Sequence, residues 1–272
     1  MVEIIRNAAI ITKINSSDAE KAASRITRLL MNRKVKVYSI FPLTLENSTP
    51  LTPESLRNVD LDIAFAIGGD GTTLRAVRNI PSRTPIFSIN VGGNRGILSE
   101  VDIDSMDAAV DTILAGSYFY DLRLRIQASI NENVYPPALN DIIFARVNLT
   151  RTPMLSVKVM DGEIKQRMDG IIISTPTGST GHSYSNSGPV LHEGLNCLIL
   201  NPIASVNRLP QLVVPMGEIE ITSTYDTDLI IDGQEVFKVS AGQNVKISRF
   251  STDAQFIRLR KRGMRQLAKL GF

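Results

Sequence analysis

Cysteine is nearly absent from this sequence: Cys197 stands alone among 272 residues. One thiol forms no internal disulfide, and it has no metal-ligand pattern around it. Within the run CLILNPI it reads as a small buried hydrophobe. Long apolar runs are missing too. No stretch approaches the roughly 20 apolar residues that span a membrane. The first residues, MVEIIRNAAIITK, carry Glu3 and Arg6 where a secretion signal is uniformly apolar. The expectation is a cytoplasmic chain with no membrane partner. Internal repeats and low-complexity segments are lacking. The basic residues have no aromatic interleaving and no nucleic-acid motif, which argues against RNA or DNA as a partner. The clearest basic run, 258-RLRKRGMRQLAK-269, reads as the solvated face of a C-terminal helix. What is present is ordinary for a globular protein: 43% apolar and 21% charged residues. A net charge of +3 and a pI of about 9.0 by themselves suit an anionic small molecule as well as a nucleic acid.

The first hundred residues alternate strand and helix signals. AAIIT (8–12), VKVYSIF (35–41), LDIAFAI (61–67) and TPIFSIN (84–90) are apolar runs that read as strands. Between them, 17–34 has Ala22, Ile26, Leu29 and Leu30 at helical spacing, with Ser17 as its cap, and 72–79 reads as a second helix. A further helix pattern covers 104–116. Alternation of this kind, with near-continuous apolar strands, predicts a parallel sheet covered by helices. After about residue 117, alternating strands dominate: YDLRLRIQASI, LSVKVMDGEIKQRMDGIIIS, GEIEITSTYDTDLIIDGQEVFKV and QNVKISRF. Asp-Gly pairs at 161–162 and 232–233 signal hairpins. The expected fold is an α/β Rossmann-like N-terminal domain, 1–104, followed by a β-rich, sandwich-like domain, 105–254.

The stretch 67-IGGDGTTLRAV-77 joins the end of an apolar strand to the start of a helix. Its glycines allow close approach to the backbone, and amide N–H groups ahead of a helix N-terminus make an anion site. It is not a P-loop, because no Gly-Lys pair occurs in the chain. It nearly meets the dinucleotide pattern G-x-G-x-x-G at 69–74, but Leu74 stands where the last small residue belongs. Asp70 separates it from both. A carboxylate about 4 Å from a phosphate charge costs roughly 4 kcal/mol at an effective dielectric near 20. A bridging divalent cation justifies that cost, and so does a carboxylate that accepts the proton of an attacking hydroxyl. The bland alternative is a helix N-cap.

Strand-GGDGT-helix resembles the loop shared by NAD kinases, by lipid kinases acting on diacylglycerol and sphingosine, and more loosely by phosphofructokinases. Three further segments narrow the resemblance to NAD kinases. In 89-INVGGNRGILSEV-101, Gly92, Gly93 and Gly96 match a glycine-rich family segment, with Ile97 where the family usually has Phe and Ser99 where it has Thr. The segment 138-ALNDIIF-144 offers Asn140 and Asp141. Most specific is 169-DGIIISTPTGSTGHSYSNSGPVL-191, similar to the family's D-G-x-x-x-S-T-P-T-G-S-T signature. There His182 stands at a usual Tyr, and Ser187 replaces the first Gly of Gly-Gly-Pro. The hydroxyls of Thr175, Thr177, Ser179, Thr180, Ser183, Ser185 and Ser187 suit a polyhydroxylated ligand. Weaker matches are 202-PIASVNRLPQLVVP-215, with Arg208 offset, and the D-G-Q turn of 231-IDGQEVF-237.

The resemblance implies an enzyme that transfers the γ-phosphoryl of ATP, or of polyphosphate, to the 2′-hydroxyl of the adenosine ribose of NAD. It implies Asp70 as catalytic residue, with Gly68, Gly69, Gly71, Thr72 and Arg75 holding donor phosphates. It assigns NAD binding to Asp70, Gly71, Asn140, Asp141, Asp169, Thr177, Thr180, His182, Ser185, Ala204 and Gln234. NAD and ATP are the implied partners, Mg²⁺ or another divalent cation the cofactor, and a homodimer or homotetramer the assembly. Residues 255–272 are expected to pack back on the first domain. The alternatives are a lipid or sugar kinase sharing the GGDGT loop, and a non-catalytic NAD(P)-binding sensor.

Overall fold

The computed structural model describes residues 5–40, 43–92, 96–261 and 265–271. They fall into two compact units, Met1–Leu122 with Asp253–Phe272, and Arg123–Thr252.

In the first unit the apolar runs become strands of an eight-stranded sheet. Its order is Thr49–Leu51, Lys36–Ile40, Asn7–Thr12, Ile63–Ile67, Ile86–Asn90, Ala254–Arg258 and Phe119–Arg123, with Val101–Asp102 also paired to Ile86–Asn90. The pairings from Thr49–Leu51 through Ala254–Arg258 are parallel. Every residue of Ile63–Ile67 is buried, as a strand covered on both faces requires. The helix Ser17–Asn32 lays Ala19, Ala22, Ala23, Ile26 and Leu30 into the core. Its cap is Ser16, one residue before the expected Ser17, because the Ser16 side chain accepts from the Ala19 N–H. The helix Met106–Leu114 buries Met106, Ala109, Val110 and Ile113 in that same core. It therefore belongs to the first unit, and the division falls after Leu122 rather than after residue 104.

The second unit holds two six-stranded sheets whose pairings are antiparallel. One runs Leu212–Pro215, Cys197–Ile203, Gly170–Ser174, Asp141–Arg146, Thr227–Ile231 and Glu235–Val239. The other runs Gly162–Arg167, Met154–Val159, Ile219–Ser223, Val245–Arg249, Ile126–Ile130 and Asn133–Val134. Phe144, Ile171 and Leu229 of the first meet Val157, Ile221 and Ile247 of the second in one apolar core. The α/β plus β-rich architecture is thus as expected.

Several local expectations shift. YDLRLRIQASI is two strands, Phe119–Arg123 in the first unit's sheet and Ile126–Ile130 in the second unit. The hairpin expected at Asp161-Gly162 turns on Met160 and Asp161, since Val159 pairs with Gly162 and Met160 takes φ 55°. The C-terminal helix spans Arg265–Leu270, and 262–264 lie outside the described residues. It is no solvated face: Arg265 and Arg258 are buried, and both reach the buried carboxylate of Glu100. Cys197 is only partly buried. No helix among the described residues is long and apolar enough to cross a membrane.

Candidate active site

The strand Ile63–Ile67 delivers the glycine turn at the carboxyl edge of the parallel sheet, where open α/β sheets hold their ligands. Gly69 is the N-cap of the helix Asp70–Asn79 and has extended backbone. The helix starts two residues earlier than the expected 72, so Asp70 is its first residue. Packing at the turn is tight: a β-carbon on Gly68 would lie 2.3 Å from Thr72 Oγ1. Thr72 is buried beside it, and Gly71 is exposed.

Asp70 does not cap the helix. Its Oδ2 accepts from the Ile97 N–H at 3.1 Å and its Oδ1 from the Leu98 N–H at 2.9 Å. The carboxylate therefore ties the glycine turn to the second glycine-rich segment, of which Gly93 lies outside the described residues. Arg75 sits one turn further along. It donates to the Thr12 carbonyl and lines a cavity of about 170 Å³ with Lys13, Asn15, Glu20 and Asn79. Its Nε is buried without a partner, and burial, then the nearby Arg78 charge, pulls its pKa below the usual arginine value.

In the second unit three distant stretches meet. Residues 139–141 precede the strand Asp141–Arg146, and the hydroxyl-rich loop 175–188 lies over them. Thr175 donates through Oγ1 to the Leu139 carbonyl at 2.6 Å and through N–H to the Asn140 carbonyl at 2.8 Å. A β-carbon on Gly178 would stand 2.1 Å from the Asn140 carbonyl oxygen, so only glycine fits there. The third stretch is the turn after the strand Thr227–Ile231. Asp232 accepts from the N–H groups of Leu139, Asn140 and Asp141.

Most loop hydroxyls hold the loop itself. Thr175 Oγ1 also accepts from Gly178, Ser179 donates to Pro176 and accepts from Leu191, Thr180 donates to Thr177, and Ser183 accepts from Asn201. Their number alone suited a polyhydroxylated ligand and did not reveal these internal bonds. Thr177 and Thr180 are buried, while His182 and Ser185 are exposed on the short helix His182–Ser185. Asn140 Oδ1 is buried and accepts no hydrogen bond. Asp141 is buried, and its pKa is pushed up to about 7 by burial and then by the Asp232 charge. Asp169 is half-buried and paired with Arg146 at 2.9 Å. Ala204 and Gln234 are exposed, and Ala204 holds φ 47°, a conformation that costs a residue with a β-carbon.

Sequence reasoning missed Arg146 and Asp232. Asp232 lay within the quoted D-G-Q turn, which was read as a hairpin signal and a weak family match but gave no role to the aspartate itself. Among the described residues no group of three or more His, Cys, Asp or Glu stands ready for a metal ion.

A glycine turn at a helix N-terminus that carries an acid suits phosphoryl transfer, and the protein is of the kinase class. The ATP-NAD kinase N-terminal domain matches residues 8–118 and the ATP-NAD kinase C-terminal domain residues 139–259. The chain belongs to the NAD kinase family. An NAD kinase of Thermococcus sibiricus is 35% identical over 76% of this chain and 77% of its own length. One from Methanothermobacter thermautotrophicus is 32% identical over 93% and 91%. The crystal structure of an NAD kinase from Archaeoglobus fulgidus in complex with ATP superposes with a TM-score of 0.79 at 26% identity, covering 97% of this chain and 98% of that one. Yeast NADH kinase complexed with NADH shares the fold, with a TM-score of 0.85 at 19% identity over 99% and 87%.

Proposed function

We propose that the chain transfers the γ-phosphoryl group of ATP to the 2′-hydroxyl of the adenosine ribose of NAD, giving NADP and ADP. The observation that carries this reading is the buried, unpaired Oδ1 of Asn140. An unsatisfied buried acceptor costs about 1–3 kcal/mol, and an N–H donor on a bound adenine or carboxamide satisfies it. The names of the relatives, one solved with ATP and one with NADH, agree with nucleotides as substrates.

In this proposal Gly68, Gly69, Gly71 and Thr72 hold the donor phosphates at the positive end of the helix Asp70–Asn79, with Arg75 as a nearby positive charge. Asp70 takes the ribose hydroxyl proton as the oxygen bonds to the γ-phosphorus and the bond to the β-phosphate oxygen breaks. Asp70 and Gly71 also meet the NAD ribose. Asn140, Asp141, Asp169, Thr177, Thr180, His182, Ser185, Ala204 and Gln234 bind NAD. A divalent cation such as Mg²⁺ fits as an ion carried by the donor phosphates, because the described residues include no cluster of protein ligands for one. Asp70 is the carboxylate that would face it, and the ion would neutralise charge on the phosphates. The same reading includes a cytoplasmic location and a homodimer or homotetramer, to which the exposed Val206 and Val213 on the 202–215 segment would offer apolar surface.

The test is an assay of the purified chain with NAD and NADH, each against ATP and polyphosphate. Formation of NADP from NAD and ATP is the expected result. Tight NAD binding without conversion would favour the sensor, and phosphorylation of diacylglycerol instead of NAD would favour the lipid kinase.

A further inference from the structure

Asp232 lies in the turn that follows the strand Thr227–Ile231, buried and in the left-handed region at φ 50°. Its Oδ2 accepts from the Leu139 N–H at 3.1 Å, and its Oδ1 accepts from the Asn140 and Asp141 N–H groups at 2.7 and 3.2 Å. Its own N–H returns to the Asp141 carbonyl at 2.9 Å. These amides need an outside acceptor, because the ladder between Asp141–Arg146 and Thr227–Ile231 begins only at Ile142 opposite Ile231. On the other side of the same segment, the carbonyls of Leu139 and Asn140 are taken by Thr175. The backbone is thus clamped from both sides, its donors by one carboxylate and its acceptors by the hydroxyl-rich loop. Both side chains stay out of the clamp. Asn140 Oδ1 makes no bond, and Asp141 Oδ2 points to within 4.0 Å of where a β-carbon on Gly181 would sit.

We infer that Asp232 is a positioning residue for NAD: its carboxylate fixes the 139–141 backbone so that the Asn140 and Asp141 side chains are presented to the dinucleotide. This rests on the reading that Asn140 and Asp141 meet NAD. Asp232 also sets the charge of that surface. Around Asp141, the strand Gly170–Ser174 offers Ser174 and the facing loop offers Gly181, both uncharged. The charge that acts on Asp141 is that of Asp232. A carboxyl group held neutral beside it donates a hydrogen bond to a ligand acceptor, which an ionised one does not.

The experiment is steady-state kinetics on the full chain with Asp232→Asn and, separately, Asn140→Ala. For Asp232→Asn the KM for NAD is expected to rise about ten-fold or more, the loss of about 1.4 kcal/mol of binding, with the KM for ATP little changed. The pH at which NAD binding weakens is expected to move down, since the neighbouring charge is gone. If Asn140→Ala leaves the KM for NAD at its wild-type value, the NAD-site reading fails. If Asn140→Ala raises it while folded Asp232→Asn does not, only the role of Asp232 is overturned. Should Asp232→Asn not fold, amide hydrogen exchange on the wild type decides. Slow exchange at 139–141, slowed further by NAD, supports the clamp, and exchange as fast as in the exposed 131–132 turn refutes it.

Discussion

The carbonyl oxygen of Asn140 stands 2.1 Å from the point a β-carbon on Gly178 would occupy. Backbone, not a yielding side-chain tip, fills that space, so the loop and the 139–141 segment touch with no slack. Gly178→Ala is expected to force them apart at a cost of about 1–3 kcal/mol, and to weaken NAD binding more than ATP binding. Thermal denaturation and NAD titration check this, and wild-type values in both would show that the contact yields.

Asp70 bonds to two amides as well as facing the proposed chemistry. Asp70→Asn keeps an acceptor for the Leu98 N–H and removes the base. Turnover should fall on the order of 10²–10⁴-fold with only a small loss of melting temperature. A variant that phosphorylates NAD at the wild-type rate would remove Asp70 from the role of base.

Glu100 lies buried between two arginines, with Arg265 Nη1 at 2.5 Å and Arg258 Nη1 at 3.5 Å. Arg258 also reaches Asp121 at 3.0 Å and the Leu98 carbonyl. Glu100→Gln preserves shape and strands positive charge in the interior, so a loss of about 3–5 kcal/mol is expected, read by urea denaturation. A loss under about 1 kcal/mol would mean that the remaining partners suffice.

Burial, and then the Asp232 charge, push the folded-state pKa of Asp141 up to about 7 from the ordinary aspartate value of 3.8. Between those values the folded chain holds a proton that the unfolded chain has released. Its contribution to stability is therefore complete below about 4 and is lost as the pH rises through about 7. The slope reaches at most about 1.4 kcal/mol per pH unit. Asp141→Asn should flatten this part of the stability profile, with its largest relative gain above pH 7. Melting curves from acid to mildly alkaline pH decide, and an unchanged slope in the variant would contradict the assignment.

Ser187 sits at φ 62°, at the position where the resembling signature carries glycine. Ser187→Gly relieves the crowding of the β-carbon and is expected to stabilise the fold by up to about 1 kcal/mol. A lower melting temperature would show that the serine side chain contributes more than the strain costs.

The architecture was legible where burial writes itself into composition. Strands covered on both faces appear as unbroken apolar runs such as IAFAI, and the glycine turn is visible because three glycines crowd the junction of such a run with a helix. What eluded the sequence was partnership across distance. Asp232 bonds Asn140 from 92 positions away, and no periodicity connects them. Arg258 and Arg265 looked solvated because a basic run does not reveal that Glu100 waits for both. The hydroxyl count of the 175–183 loop did not reveal that Thr175, Ser179 and Thr180 donate to nearby backbone carbonyls, since serine and threonine bond neighbouring backbone as readily as ligand. YDLRLRIQASI kept its alternation across a change of sheet, so nothing in the pattern marked where one strand stopped.

The strand Ala254–Arg258 lies between Ile86–Asn90 and Phe119–Arg123 in the first sheet. A ribosome makes it only after the whole of the second unit. Until then Phe119–Arg123 has no neighbour in that sheet, and Ile86–Asn90 is covered on that side only at Ile89 and Asn90, by Val101–Asp102. The second unit, contiguous in the chain, can finish folding during synthesis, while the first must wait for its last inner strand. A nascent chain halted before residue 254 therefore exposes an unpaired sheet edge of the kind that chaperones shield.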